Sequence, residues 1–268
     1  MKKMKKIAAV VMTAVMAAAI FAGCSSNQAT TNSLDAIKKA GVIKIGLSDD
    51  FPPFEYRDDK NNLIGFDIDL ANKIAEKLGV KAEFVPTEFS GIILALNSDK
   101  FDLIMSGLSQ TAEREKEISF VGPYLQSGQA IIVRADSGIT SVADLKGKVV
   151  GAQLGSTGEE AAKKIEGTAE VRTYDKVTEE LQDLLIGGRI DAVVTDKPVA
   201  GYYIAKSAAA SQYKILDNML TEEPMGIGVK KTETELTTEV QKIFDGLVAD
   251  GTMSQLSMKW FGYDAYAK

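Results

Sequence analysis

Phe101-Asp102-Leu103-Ile104-Met105-Ser106-Gly107-Leu108-Ser109-Gln110-Thr111-Ala112-Glu113-Arg114 reads as a buried strand, a polar turn and the start of a helix. Residues 101–105 are a short apolar run. Ser106, Ser109 and Thr111 then crowd hydroxyls into the turn, and Gly107 lets the backbone approach a neighbour closely. Thr111 suits a helix N-cap. Arg114 then falls in the first helical turn, where a cation opposes the helix dipole, so local stability does not account for it. A planar guanidinium beside hydroxyls and free amides suits a carboxylate or phosphate. The alternative is a surface arginine paired with Glu113 or Glu117, and the loop alone leaves both open.

Working outward, strands and helices alternate. Val42-Ile43-Lys44-Ile45-Gly46-Leu47 reads as a strand. Gly65-Phe66-Asp67-Ile68-Asp69-Leu70 leads into a helix whose Ile68, Ala71, Ile74, Ala75 and Leu78 share one face, with Gly79 as its stop. Residues 82–86 form a strand and 90–97 a helix. Alternation of this kind implies a mainly parallel sheet with right-handed crossovers. In such sheets ligands bind where strand C-termini meet helix N-termini, which is where the opening turn lies. Between the first strand and helix, Pro52 and Pro53 force an irregular loop. Its Phe51 or Phe54 either stacks on a ligand or plugs the core. Residues 58–62 look like a hairpin turn.

A second unit repeats the design. A strand at 131–133 is followed by a short helix capped by Ser141. Another strand at 148–152 runs into Gln153-Leu154-Gly155-Ser156-Thr157-Gly158 and a helix carrying Ala161, Ala162 and Ile165. Free amides at such a turn receive anions. It is no P-loop, because the Lys-Ser/Thr ending is missing. Residues 178–186 form a helix ended by Gly187 and Gly188. A strand at 190–194 then delivers Asp196 to the same edge as 153–157. Asp196 suits an ammonium ligand or serves as a helix N-cap, and the two roles can coexist. Strands near 213–216 and 225–229 precede an amphipathic helix with Leu236, Val240, Ile243, Phe244 and Leu247 on one stripe. Trp260, in a last helix, reads as packing.

The N-terminus has the form of an export signal: Lys2, Lys3, Lys5 and Lys6, then an apolar run from Ile7 to Ala22. It ends in Phe21-Ala22-Gly23-Cys24, which resembles the lipobox of bacterial lipoproteins. Cys24 is the only cysteine, and lipidation explains an otherwise stray thiol in an exported chain. Residues 24–33 read as an uncharged tether. Removing the signal's four lysines takes the formal charge from -6 to -10, which disfavours nucleic acid. The chain has no histidine, which removes His-based triads and the commonest general base. With one terminal cysteine, a zinc site would need carboxylates alone. The composition points to a binding protein without metal or cofactor rather than an enzyme.

Taken together, these pieces resemble the solute-binding proteins of polar amino-acid ABC transporters, with the type II periplasmic-binding-protein fold. The markers are Phe51-Pro52-Pro53-Phe54-Glu55, residues 65–70, residues 106–114, Gly155-Ser156-Thr157, and Gly188-Arg189-Ile190-Asp191-Ala192 through Asp196. The resemblance covers nearly all of 34–262. It implies an α/β fold of two lobes, 34–124 plus 225–268 and 128–221, each a mainly parallel sheet flanked by helices. Hinge segments at 124–128 and 221–225 join them. It implies that Arg114 grips the ligand α-carboxylate, with Ser109 and amides near Ser156 and Thr157. Asp196 accepts the α-ammonium, with Gly107 and Ser109 as partners. Phe51 and Phe89 sandwich the side chain, and Ser48, Asp67, Ser106 and Gln153 line its far end.

The implied partners are a free L-amino acid, a permease and, through Cys24, the outer face of the cytoplasmic membrane, with the protein a monomer. Relatives selecting lysine, arginine or histidine often carry Asp where this chain has Ser48, while Asp49, Asp50, Asp67 and Glu88 supply negative charge nearby. Residues 88–93 look like the matching segment of glutamine binders. The ligand is therefore expected to be cationic or glutamine-like. Two rivals remain: a sensory lipoprotein with the same grip, and an enzyme resembling cyclohexadienyl dehydratase with Glu55, Glu88 or Glu222 as the acid.

Overall fold

The computed structural model describes residues 33–206 and 210–267. The expected signal peptide, Cys24 and all but the last residue of the tether lie outside them. A helix the sequence reading did not anticipate, α1 (Ser33–Ala40), opens the described chain and buries Ile37. The first unit then runs β1 (Val42–Leu47), β2 (Asp50–Phe51), β3 (Glu55–Arg57), β4 (Leu63–Ile64), α2 (Phe66–Leu78) and β5 (Lys81–Pro86). Gly79 ends α2 at φ 77°, a left-handed cap that glycine adopts without steric cost. The turn between β3 and β4 is closed by Asp58, whose carboxylate accepts from the Lys60 and Asn62 amides. Next come α3 (Ile92–Asn97), β6 (Leu103–Ile104), α4 (Ala112–Glu117) and the ten-residue β7 (Ile118–Ser127).

The second unit holds β8 (Gln129–Arg134), β9 (Val149–Gln153), α5 (Thr157–Lys163), β10 (Glu170–Tyr174), α6 (Val177–Gln182), β11 (Ala192–Asp196), α7 (Lys197–Lys206) and β12 (Tyr213–Ile215). The chain returns through β13 (Glu223–Lys230) and finishes with α8 (Thr234–Ala249) and α9 (Thr252–Phe261). The stripe read on α8 is the buried one: Leu236, Val240, Phe244 and Leu247 face inward. Each such side chain contributes about 1.5–3 kcal/mol by leaving water.

Two five-stranded sheets carry the fold, ordered β5-β1-β6-β13-β7 and β10-β9-β11-β8-β12. In each, four strands run one way and one runs against them: β13 in the first sheet and β8 in the second. Each sheet is therefore mainly parallel, as expected, with one strand reversed. The cause is the crossing strands. β8 follows β7 through Gly128 alone, and β13 returns to the first sheet between β6 and β7. Neither is preceded by the helix that would make it parallel. The result is a two-lobed α/β molecule whose lobes are joined by two adjacent strands. At the crossing, a Cβ on Gly128 would stand 2.0 Å from the Thr221 carbonyl oxygen, so only glycine lets the strands pass so closely.

Candidate functional site

The turn after β6 delivers the site's cation. The Thr111 hydroxyl caps α4 by accepting from the Arg114 amide at 3.2 Å, which fixes the backbone from which Arg114 springs. The guanidinium does not pair with Glu113 or Glu117; Glu113 bonds Lys116 instead. Arg114 Nη1 donates to the Ser109 carbonyl at 2.8 Å, and Nη2 donates to the Gly155 carbonyl at 3.2 Å. Its carbon lies 5.5 Å from the Phe89 ring centre, a cation–π arrangement. Gly107 adopts φ +52°, and a Cβ there would fall 2.6 Å from the Phe51 ring. The turn thus needs glycine for both its conformation and the close approach of Phe51.

The second lobe brings a matching turn. The Ser156 hydroxyl accepts from the Glu159 amide at 3.1 Å and donates to the Gln153 carbonyl at 2.7 Å, capping α5. The Thr157 hydroxyl accepts from Gln129 Nε2 at 3.0 Å and reaches the Ser109 hydroxyl at 3.4 Å. Asp196 ends β11, 6% exposed. Burial raises its carboxyl from 3.8 to about 7, Gln129 hydrogen bonding opposes this, Glu223 adds to it and Arg114 opposes it. Its Oδ1 has no hydrogen-bond partner in the protein.

One cavity gathers these groups: Phe51, Phe89, Gly107, Ser109, Arg114, Gln129, Gln153, Ser156, Thr157, Val194, Thr195 and Asp196. The cavity's volume is only about 10 Å3. The two walls therefore stand nearly in contact. Nine residues expected at the site are on this wall, and three are not. Ser48 bonds Asp50 through its hydroxyl. Ser106 is turned inward, accepting from the Ser48 amide at 2.9 Å and donating to Glu55 at 2.7 Å. Asp67 is fully buried behind the turn and accepts from the Gly107 amide at 2.9 Å and the Tyr124 hydroxyl at 3.2 Å. These three support the wall rather than form it.

The open choice in the proline loop is resolved by position. Phe51 lies on the cavity, whereas Phe54 packs against Phe66 and Phe261 in the core. Gln129, Val194 and Thr195 were not anticipated. The last two precede Asp196 on β11. Gln129, a polar residue just after the crossing at Gly128 and before the apolar 130–133, is the one clue the sequence offered.

A cation from one lobe and a carboxylate from the other thus meet in one interlobe cavity. The family model for bacterial extracellular solute-binding proteins, family 3, matches residues 43–263. The chain belongs to this family. Among the curated relatives of this family-3 binding protein is the L-cystine-binding protein TcyJ of Escherichia coli K12, 34% identical over 253 residues, 93% of this chain and 94% of the relative. The arginine-binding extracellular protein ArtP of Bacillus subtilis is 33% identical over 260 residues, 96% of this chain and 98% of the relative. Among solved structures, an ancestral amino-acid-binding protein described as a precursor of cyclohexadienyl dehydratase is 43% identical with a TM-score of 0.80, covering 85% of this chain and 99% of that one. Among the described residues of this family-3 protein, no helix is long and apolar enough to cross a membrane.

Proposed function

We propose that the chain captures a polar L-amino acid, cationic or glutamine-like, between lobes 34–124 plus 225–268 and 128–221, and delivers it to an ABC-transporter permease. The observation that carries this reading is the pairing of Arg114 and Asp196, opposite charges from opposite lobes on one cavity. An amino acid presents the complementary pair on one carbon: a carboxylate for Arg114 and an ammonium for Asp196. Ser109, Ser156 and Thr157 add donors on the carboxylate side. Phe51 and Phe89 flank the side chain, which runs toward Gln153. The relatives' names, for cystine and arginine, support an amino acid as the ligand class.

Entry requires the walls to part. The ligand then favours the closed form by bridging them, with 124–128 and 221–225 as the hinge, and the closed form is what the permease recognises. Lipidation at Cys24 would hold a monomer of the protein at the outer face of the cytoplasmic membrane. None of Glu55, Glu88 and Glu222 lies on the cavity wall, which disfavours the dehydratase-like alternative. A sensory role would use the same grip.

A thermal-shift panel of the twenty L-amino acids tests the reading. A ligand at a hundred times its dissociation constant adds about 2.7 kcal/mol. A shift with arginine, lysine or glutamine supports it; no shift with any amino acid overturns it. Small-angle scattering should show compaction with the ligand that shifts.

A further inference from the structure

Behind the ligand-facing turn lies a group of polar side chains that the binding scheme does not use. Glu55 and Asp67 are both 0% exposed. Glu55 Oε1 accepts from the Ser106 hydroxyl at 2.7 Å, and that hydroxyl in turn accepts from the Ser48 amide. Asp67 Oδ2 accepts from the Gly107 amide and from the Tyr124 hydroxyl. The remaining oxygens, Glu55 Oε2 and Asp67 Oδ1, have no donor, although the two carboxyls are within hydrogen-bonding contact of each other. Two ionised carboxylates have acceptors only and cannot bond each other; one proton between them satisfies both orphaned atoms.

We infer that Glu55 and Asp67 share one buried proton, and that through it they act as positioning residues holding the turn at 106–107 in its binding register. Protonated on Oε2, Glu55 donates to Asp67 Oδ1 while its carbonyl oxygen accepts from Ser106. Asp67 stays ionised, held by the Gly107 amide and the Tyr124 hydroxyl. Every donor and acceptor is then used. Asp67 also ties the ligand turn to Tyr124, where the first lobe passes into β7's crossing end. Tyr266 clamps the same point by donating its hydroxyl to the Tyr124 carbonyl.

The groups acting on the pair from neighbouring elements are Ser106 and Gly107 of the turn, Asp50 of β2, Tyr124 of β7 and Tyr266 of the C-terminal segment. All are acidic or neutral, so none offers a cation to stabilise a second negative charge. Burial and the neighbouring Asp67 charge hold the Glu55 carboxyl well above its ordinary range, and burial raises Asp67 to about 6. The pair titrates as a unit. A raised carboxyl binds a proton that the unfolded chain has already released. Its stability contribution is therefore complete below about 4.5 and is lost as pH rises through the pair's folded titration.

The test is carboxyl 13C NMR on the wild-type protein without ligand, followed across pH, with Glu55→Gln as partner. A Glu55 carboxyl still protonated at neutral pH supports the inference. A Glu55 carboxyl already ionised at neutral pH overturns it. In Glu55→Gln the amide replaces the proton as donor. That variant should keep ligand affinity within about threefold at neutral pH, and its melting temperature should lose Glu55's share of the wild type's decline as pH rises above about 4.5. Glu55→Leu, which strands Asp67 and Ser106, should weaken affinity roughly tenfold or more. A Glu55→Gln variant whose decline with rising pH matches the wild type would count against a shared proton. The ligand's own amine titrates identically in all variants, so differences between profiles report the pair. The register claim rests on the amino-acid reading of the cavity, but the NMR titration does not: failure of every amino acid in the thermal panel would leave it standing.

Discussion

Arg114 and Gly155 belong to different lobes, and the guanidinium of one donates to the carbonyl of the other at 3.2 Å. The side chain that reads as the carboxylate grip is therefore also a latch between lobes. Gly155 meets the first lobe a second time, because a Cβ on it would stand 2.9 Å from the Ser90 Cα. Thr178, near the start of α6, adds a third crossing by donating to Asp50 at 3.2 Å. On the proposed reading, binding and closure share the same atoms, so a ligand that occupies Arg114 must also reset how the lobes meet.

Arg114→Ala removes the grip and the latch together. Leaving one partner of a buried ion pair alone costs about 3–5 kcal/mol. At 1.4 kcal/mol per decade, affinity for the amino acid identified by thermal shift should fall by at least about a hundredfold. Calorimetric titration measures it. A loss under about threefold would remove Arg114 from the site. Arg114→Lys keeps the charge but not the planar fork and should recover only part of the loss.

If Asp196 takes the ligand ammonium as proposed, binding should depend on acid. Its carboxyl is raised from 3.8 to about 7 chiefly by burial. Only the ionised form accepts an ammonium, and an ammonium would pull the carboxyl back down, so binding should release a proton. Affinity should fall as pH drops below about 7, approaching tenfold per unit. The ligand-free protein should behave oppositely. Its folded state holds a proton that the unfolded chain has lost, so this group's contribution declines as pH rises from 3.8 to about 7. Titrations in buffers of different ionisation heat count the released proton. Asp196→Asn should abolish that release and weaken binding.

Phe51 and Phe54 stand three residues apart with rings stacked at 5.8 Å, yet substitution should separate them. Phe54→Ala empties a fully buried position and should cost about 3–5 kcal/mol of stability. At about 2–4 °C per kcal/mol for a chain of this size, that lowers the melting temperature on the order of 10 °C. Phe51→Ala opens the cavity wall and should weaken ligand affinity more than it lowers the melting point. Melting curves with and without ligand give both numbers.

Local chemistry was legible in the sequence wherever it was set by neighbours along the chain. Thr111 capping the turn that carries Arg114, Ser141 capping the short helix that follows it and Gly79 ending α2 all follow from residues a few positions apart. What was not legible depends on crossing strands. β8 and β13 enter their sheets antiparallel because each arrives from the other lobe, and no local pattern announces that. Gln129 escaped notice for the same reason, since its value comes from lying beside Asp196 across a strand pair. Asp67 was placed on the cavity because it carries charge in a marked motif. It faces inward because the first turn of α2 points its carboxylate at the Gly107 amide. Burial with a neutralised partner is invisible to a reading that assigns every charge to solvent or ligand.

Gly155 offers the sharpest test of closure, because the chain contains its own control. Gly155 and Gly79 both adopt φ +77°. A Cβ on Gly79 would meet nothing within 4 Å, whereas on Gly155 it would meet Ser90 from the opposite lobe. Substitution by alanine imposes the same left-handed strain at both positions, about 1–2 kcal/mol. Only Gly155→Ala adds a collision that exists when the lobes are together. Both variants should therefore melt at similarly reduced temperatures without ligand if the lobes part freely. Ligand affinity should be unchanged in Gly79→Ala and reduced in Gly155→Ala, because the ligand must then work against the collision to close the lobes. Scattering should show a smaller ligand-induced compaction in Gly155→Ala. Equal affinities in the two variants would mean that the ligand binds without bringing Gly155 against Ser90, and closure as drawn here would fail.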